Sequence, residues 1–287
     1  VSGDVAAGTL VVVSTPIGNL GDLTPRALET FAHADVVCCE DTRRTRGLLA
    51  HAGLTGVRLL SLHGHNEMAR VDTVLALLGE GRTVALVSDA GTPVVSDPGG
   101  RLVSAAAAAG ATVTAVPGPS AVLAALVVSG LPADRFCFEG FLPRRGGDRR
   151  RRVAAVAGEA RTVVLFEAPG RLVATLGDLV EACGPERPVV VAREMTKLHE
   201  EVWRGSLGDA SATFAEREVR GEIVIVLAGD PTSGRAPDDA VVSEAVRVRF
   251  EAGDSMRDAA GRVAGELGVS RRRAYDLALG LRRNAQP

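Results

Sequence analysis

The sequence predicts two α/β domains followed by a small helical extension. Three observations carry this. Short valine-rich runs alternate with stretches whose apolar residues recur at helical spacing. The runs stand at the separations that βαβ units require, which implies a mostly parallel sheet covered on both faces. A polar segment rich in Pro, Gly and Asp, "PTSGRAPDD", then separates these runs from an arginine-rich tail.

The first domain is expected over 9–118. "TLVVV" (9–13) reads as a buried strand, "STPIGNLGDLTP" as a loop, and "PRALETFAHA" as a helix with Pro25 near its first turn. "DVVCCE" is a second strand and "DTRRTRGLLAHAG" a helix. "VRLLSLH" is a third strand, and "NEMARVDTVLALLGEG" an amphipathic helix with Val71, Leu75 and Leu78 on one face. "TVALVSD" and "TVTAVPG" are strands four and five, with the helix "RLVSAAAAAG" between them. The apolar stretch from Leu102 to Leu131 is interrupted by Gly110, Pro117, Gly118 and Pro119, so it reads as helix, strand, turn and helix rather than a membrane span.

The second domain is expected over 119–230. "PSAVLAALVVSG" is a helix, "RFCFEGF" and "RTVVLFEAP" are strands, and "GRLVATLGDLVEACG" is a helix. "PVVVARE", "EVWRGSL" and "GEIVIVLAGD" complete a mixed sheet. Residues 231–240 read as a linker. In the tail, 241–287, Met256, Ala260, Val263 and Leu267 repeat at helical spacing. Gly268 can end that helix and Ser270 can cap the next. This is a helix-turn-helix-like pair, or a small bundle with no nucleic-acid role.

Composition narrows the partners. The formal net charge is −2, so a polyanion must be met by a local patch rather than by the whole field. Aromatic residues are 3% of the chain, which leaves few base-stacking platforms. Lys197 is the only lysine among many arginines. Cys38, Cys39, Cys137 and Cys183 form no CxxC pair, as expected of a reduced cytoplasmic protein. The start "VSGDVAAGTL" has no basic run, so no secretory leader is expected. No carboxylate–histidine spacing matches a zinc or calcium motif, and no metal is expected.

Ligands of an open parallel sheet sit outside the carboxyl ends of its strands. Three loops fall there: "STPIGNLGD", "SDAGTPVVSDPGG" and "VPGPSA". Glycine lets the backbone approach a ligand and proline fixes the loop shape. None is a GxxxxGK[ST] or GxGxxG sequence, and the second loop contains no base, so tight polyphosphate binding is not expected there. A carboxylate-bearing loop suits ribose hydroxyls or an ammonium group. S-adenosylmethionine carries both, with a sulfonium that acidic or carbonyl oxygens tolerate. The alternative is that these loops are merely tight connections.

The segments "VVVSTPIGNLGDLTPRALETFAHADVVCCEDTRRTRGLL", "LSLHGHNE", "VALVSDAGTPVVSDPGGRLV" and "VPGPSAVLAALVVSGLP" together closely resemble the ribosomal small subunit methyltransferase I family. The resemblance runs from about Leu10 to Asp230. It implies a fold of tetrapyrrole-methylase type with the cofactor cleft between the two domains. It also implies S-adenosylmethionine as methyl donor, the 2′-oxygen of a cytidine in the decoding centre of 16S rRNA as acceptor, and a homodimer. Carried over by position, Ala90, Gly91, Thr92, Val95, Ser120 and Ala121 should line the cofactor site, with Asp89 as a hydrogen-bond acceptor. The usual tetrapyrrole pattern has Gly-Asp-Pro where this chain has Gly91-Thr92-Pro93, and GxGPGD where it has "STPIGN". Both departures argue against a tetrapyrrole substrate.

Methyl transfer to a hydroxyl needs a positioned nucleophile and a way to remove its proton. Glu40 with Asp41 beside Arg43 and Arg44 is one candidate group. His63, His65 and Glu67 form a second, and Glu194, Lys197, His199 and Glu200 a third. His63, Lys197 and Glu40 are the candidate catalytic residues, Lys197 because a desolvated lysine can lose its proton and arginine cannot. "PRRGGDRRRR" supplies Arg144, Arg145, Arg149, Arg150, Arg151 and Arg152 for phosphate contact, and Arg43 and Arg44 add a second edge. The bland alternative is a solvated loop or helix start. Two competing functions remain open: a small-molecule methyltransferase of tetrapyrrole type, and a non-catalytic RNA-binding protein on a methylase scaffold.

Overall fold

Five apolar runs lie side by side in one parallel sheet. They are β1 (Thr9–Val13), β2 (Val36–Cys39), β3 (Leu59–Ser61), β4 (Thr83–Leu86) and β5 (Thr112–Val116), in the order β3-β2-β4-β1-β5. The structure is a computed structural model and describes residues 8–64, 66–232 and 239–284. The connecting helices are α1 (Pro25–His33), α2 (Thr42–His51), α3 (Glu67–Gly79) and α4 (Gly100–Ala108). They cover both faces. Leu10, Cys38, Val84 and Leu86 pack with Val74 and Leu78 of α3 and Leu102 and Ala106 of α4. Val13, Val37 and Ala85 pack on the other side with Ala27 and Phe31 of α1 and Leu49 of α2. Such two-sided burial explains why these strands read as continuous apolar runs.

Helix starts follow the expected chemistry. Thr24 caps α1 through the Ala27 amide with Pro25 in the first turn, and Asp41 caps α2 through the Arg43 amide. In α3 the fully buried residues are Val74 and Leu78, with Val71 and Leu75 packed at their margin.

The second sheet contains β6 (Phe136–Phe141), β7 (Thr162–Glu167), β8 (Pro188–Arg193), β9 (Glu201–Ser206) and β10 (Ile223–Leu227), in the order β6-β7-β10-β8-β9. It is mixed: β6 runs parallel to β7 and the other pairs are antiparallel. Helix α5 (Ala121–Ser129) packs Val122, Ala125 and Leu126 onto one face, against Val164, Val190 and Val226. Helices α6 (Gly146–Ala157), α7 (Leu172–Cys183) and α8 (Leu207–Ala215) cover the other face through Val153, Leu176 and Phe214. Arg149, Arg150, Arg151 and Arg152 of the arginine run lie in helix α6, and Arg144 and Arg145 immediately precede it. Val153 and Val156 are its buried residues, and Arg149 lies one turn before Val153.

Residues 1–230 form one compact unit and 231–287 a second. The second contains α9 (Asp239–Glu251), α10 (Met256–Leu267) and α11 (Arg271–Asn284). Its core is small-residue packing of Val242 and Val246 against Ala260, Val263, Ala274 and Ala278. Gly268 ends α10 in the left-handed conformation, and the Ser270 hydroxyl accepts the Arg273 amide at the start of α11. Helix α9 joins the expected pair, so the tail is a three-helix unit. Most of the expected linker, residues 233–238, lies outside the described residues, as does His65. No helix among the described residues is long and apolar enough to cross a membrane.

Candidate active site

Three loops at the carboxyl ends of β1, β4 and β5 are sewn to one another. Thr15 and Gly91 exchange backbone hydrogen bonds in both directions, at 2.9 and 3.0 Å. The Ser14 and Thr92 hydroxyls lie 3.0 Å apart, and Thr92 Oγ1 donates to the Pro119 carbonyl at 3.2 Å. Gly91 has a φ of +75°, and a Cβ there would stand 3.2 Å from Ile17. Only glycine adopts this turn without strain. Asp89 extends the stitching to β2: one carboxylate oxygen accepts the Asp41 amide at 3.0 Å, and the other faces Arg44 at 3.4 Å.

A cavity of about 400 Å³ opens beside these loops, between the two sheets. One wall is Asp89, Ala90, Gly91, Thr92 and Val95 with Ser120 and Ala121. The opposite wall comes from the second sheet: Phe141, Phe166, Glu167, Glu222 and Ile223. Strand register explains that wall. Ile223 pairs with Glu167, so the end of β7 and the start of β10 meet at one sheet edge. Glu167 is buried, and burial of a carboxylate is costly unless its oxygens are satisfied. It accepts the Ala168 amide at 2.8 Å and the Thr175 hydroxyl at 2.5 Å, and Arg171 lies 3.2 Å away. The cavity wall is mostly apolar and its charges are mostly carboxylates. Arg44 supplies the one cationic side chain lining it among the described residues. Burial and the neighbouring Asp89 push the Asp97 carboxyl above the usual carboxylate range, against a hydrogen bond from Ser88.

A second cavity, of about 320 Å³, adjoins the first and shares Ile17, Arg44, Asp89, Ala90 and Glu222 with it. It is lined also by Thr15, Gly18, Leu48 and Lys197. Lys197 Nζ sits 2.8 Å from Glu194 Oε1 and 3.0 Å from Glu222 Oε2. Partial burial opposes its charge, but the two carboxylates outweigh burial and raise its pKa. Two glycines make this arrangement possible. A Cβ at Gly18 would stand 2.4 Å from Lys197 Cγ, and one at Gly221 would stand 2.4 Å from Glu194 Cδ. The four described non-glycine residues with positive φ are Val94, Ser96, Glu194 and Thr196. All lie in the two loops around these cavities, where local strain marks over-determined functional geometry.

Residues 9–211 match the tetrapyrrole (corrin/porphyrin) methylases. A ribosomal RNA small subunit methyltransferase I from Synechocystis sp. is 45% identical, over 96% of this chain and 98% of its own length. The chain belongs to the ribosomal RNA small subunit methyltransferase I family. A methyltransferase I from Thermotoga maritima is 49% identical, but 77% of this chain covers 99% of it. Among solved structures, uroporphyrin-III-C-methyltransferase from Thermus thermophilus superposes with a TM-score of 0.55 at 26% identity, over 76% of this chain and 94% of that one. The fold class read from the sequence is therefore the observed one.

In this methyltransferase I relative the seven residues assigned from the sequence to the cofactor loops all line the first cavity. Their roles differ in detail. Thr92 ties loops together, Ser120 caps α5 by accepting the Leu123 amide, and both Asp89 oxygens already have protein partners. Lys197 lines the second cavity, as an ion-paired ammonium rather than the neutral base considered from sequence. His63 and Glu40 line neither cavity. The His63 backbone instead starts α3, its amide donating to Asn66 Oδ1 at 2.8 Å and its carbonyl accepting the Asn66 and Glu67 amides. Glu40 is pushed above the usual carboxylate range by burial, then by Asp89 and Asp97, with Arg44 and His63 pulling the other way. Glu67 is buried and accepts the Gly99 and Arg101 amides at 3.1 and 2.9 Å, so it caps α4.

The arginines divide. Arg149 is largely buried and bonds Asp178 at 2.6 Å, the Pro143 carbonyl at 3.0 Å and Thr175 Oγ1 at 2.9 Å. It braces Thr175 and hence Glu167, which corrects its assignment to phosphate. Arg152 pairs with Glu139 at 2.5 Å, Arg151 with Asp148, and Arg43 with Asp41 at 2.8 Å. Arg144, Arg145 and Arg150 are exposed and make no ion pair among the described residues. Arg44 faces both cavities. The sequence reading missed Glu167, Glu222 and Phe166. Their signal was the aromatic and carboxylate that end β7 in "LFEAP" and the carboxylate just before β10 in "RGEIV".

Proposed function

We propose that this chain transfers the methyl group of S-adenosylmethionine to the 2′-oxygen of a cytidine in the decoding centre of 16S rRNA. The observation that carries the reading is the pair of adjoining cavities with a common wall, in a chain of this family. The first cavity suits the donor: Phe166, Ile223 and Val95 offer apolar surface, and Asp97, Glu167 and Glu222 suit ammonium and sulfonium charge. When bound, the donor supplies an electrophilic methyl carbon. The second cavity holds the acceptor nucleotide, with Arg44 and Lys197 on its wall.

Lys197 is held as a cation by Glu194 and Glu222, so it stabilises negative charge developing on the 2′-oxygen rather than accepting its proton. The loop stitching fixes the cavity wall before ligands arrive, and preorganisation of this kind lowers the cost of positioning. The exposed Arg144, Arg145 and Arg150 of the α6 region support contact with rRNA phosphates. The natural substrate is 16S rRNA within the small subunit, and the working form is a homodimer in the cytoplasm. The test is labelled methyl transfer to small subunits from a strain lacking this modification, with the labelled nucleoside mapped. Label in a base, or none at all while the protein binds S-adenosylmethionine, would refute the reading.

A further inference from the structure

The helical unit contains a cleft of about 720 Å³ between α10 and α11. Arg257 and Arg262 of α10 and Arg271, Arg272 and Tyr275 of α11 line it, over a floor that includes Ala260 and Gly261. All four arginines are exposed. Arg262 reaches Asp254 only at 3.5 Å and Arg272 reaches Asp276 only at 3.9 Å. Arg257 and Arg271 make no ion pair among the described residues. Asp258 is the one acid on the wall, and its carboxylate is engaged by the Ser255 hydroxyl at 2.6 Å.

Stability does not explain this arrangement. Arg271, Arg272 and Arg273 occupy the first turn of α11, which has no acidic residue. Amide groups there already carry the positive end of the helix dipole, so cations are unfavourable by some tenths of a kcal/mol each. Arg273 offsets this by bonding Asp239 at the start of α9, whereas Arg271 and Arg272 turn their charge to the cleft. Residues 231–287 hold ten arginines against eight acids in a chain whose net charge is −2. Four of these arginines line the one cleft, beside an exposed tyrosine able to stack on a base.

We propose that the α10–α11 cleft binds the sugar-phosphate backbone of the rRNA substrate, through residues that take no part in the two cavities of residues 1–230. The proposal rests on the rRNA reading above. It makes the unit an anchor that raises affinity and leaves the chemistry to residues 1–230. The Thermotoga relative accords with an accessory role: it is shorter than this chain by a share close to this unit together with the first residues.

The test uses the full-length chain with Arg257, Arg262, Arg271 and Arg272 all changed to Ser, a second variant with all four changed to Lys, and the single variant Arg271→Glu. Binding to protein-free 16S rRNA and to small subunits is titrated against salt. The Ser variant is expected to bind both about a hundredfold more weakly at about 0.1 M salt, with the slope of log K against log salt shallower by about 3. The Lys variant should keep the wild-type slope, and S-adenosylmethionine affinity should not change. Arg271→Glu, at an exposed and unpaired position, should weaken RNA binding with unchanged helical content, which keeps the test decisive if the Ser variant unfolds. An unchanged slope and affinity in folded variants would overturn the proposal. So would weakened subunit binding with unaltered binding to protein-free rRNA, which would point to a ribosomal protein. These titrations read without methyl transfer, so a failed methylation assay with intact arginine-dependent binding removes the assigned activity and leaves the anchor standing.

Discussion

Lys197 shows how one side chain can be pinned by its neighbours into a single protonation state. With Glu194 and Glu222 both within 3.0 Å, its ammonium persists through the neutral range. Lys197→Met is expected to lower the single-turnover methyl-transfer rate by roughly ten- to a thousand-fold. Lys197→Arg should recover much of this, because charge and not proton exchange is required. Rapid-quench measurements on both variants check it, and an inactive Arg variant with a folded site would restore the base role. Gly18→Ala should act on the same lysine indirectly, since the added methyl occupies the space of Lys197 Cγ. Its expected signature is a fall in rate with little change in S-adenosylmethionine affinity by calorimetry. Asp97 gives a stability prediction. Burial raises its folded pKa, so the folded chain takes up this proton at higher pH than the unfolded chain. The stability supplied by the protonated form is full below the ordinary carboxylate value of about 4 and lost as pH rises through the raised value. Asp97→Asn should therefore raise Tm at neutral pH, and melting curves should show the gain vanishing below about pH 4. Among these residues the sequence exposes chemistry but not partners. The uniqueness of Lys197 was visible, whereas Glu222, 25 positions away, needed the strand register to become its neighbour.

At the scale of elements, α6 and the residues that lead into it combine two functions in one arginine run. The half-buried Arg149 holds Asp178 and Thr175, while Arg144, Arg145 and Arg150 face solvent. Arg149→Ser should cost about 2 kcal/mol through the lost bonds to Thr175, the Pro143 carbonyl and Asp178, and lower Tm. The triple change of Arg144, Arg145 and Arg150 to Ser should leave Tm alone and reduce the salt slope of rRNA binding by about 2. Calorimetric melting and filter binding separate the two. Strands and most helices were legible because two-sided burial writes continuous apolar runs and because Thr24, Asp41 and Gly268 mark helix ends. Helix α8 escaped, although the Ser206 hydroxyl caps it by accepting the Asp209 amide while donating to the Asp209 carboxylate, and Leu207, Ala210 and Phe214 stand at helical spacing. Its short, small-residue sequence resembles a turn when read without the β8–β9 hairpin before it.

For the whole molecule, the division at Asp230 separates a unit with complete cores from a helical unit with its own. A chain ending at Asp230 should fold cooperatively and bind S-adenosylmethionine with near-native affinity, as read by thermal melting and calorimetry. Loss of binding would mean that the helical unit contributes to the donor site. The loop wall of the first cavity was readable from its glycines, prolines and hydroxyls. The facing wall was not, because apolar residues such as Phe166 and Ile223 look like any core residue until sheet edges are aligned.

The reciprocal Thr15–Gly91 bridge makes the site its own reporter. Loop amides normally exchange their hydrogens with solvent quickly, but both of these are donated to carbonyls across the sewn loops. Their exchange requires the β1 and β4 loops to part, whereas ordinary fluctuations of the α4 or α6 surface leave them protected. Deuterium uptake at Gly91 therefore clocks the loosening of this wall of the first cavity, in the apo chain and with each ligand added in turn.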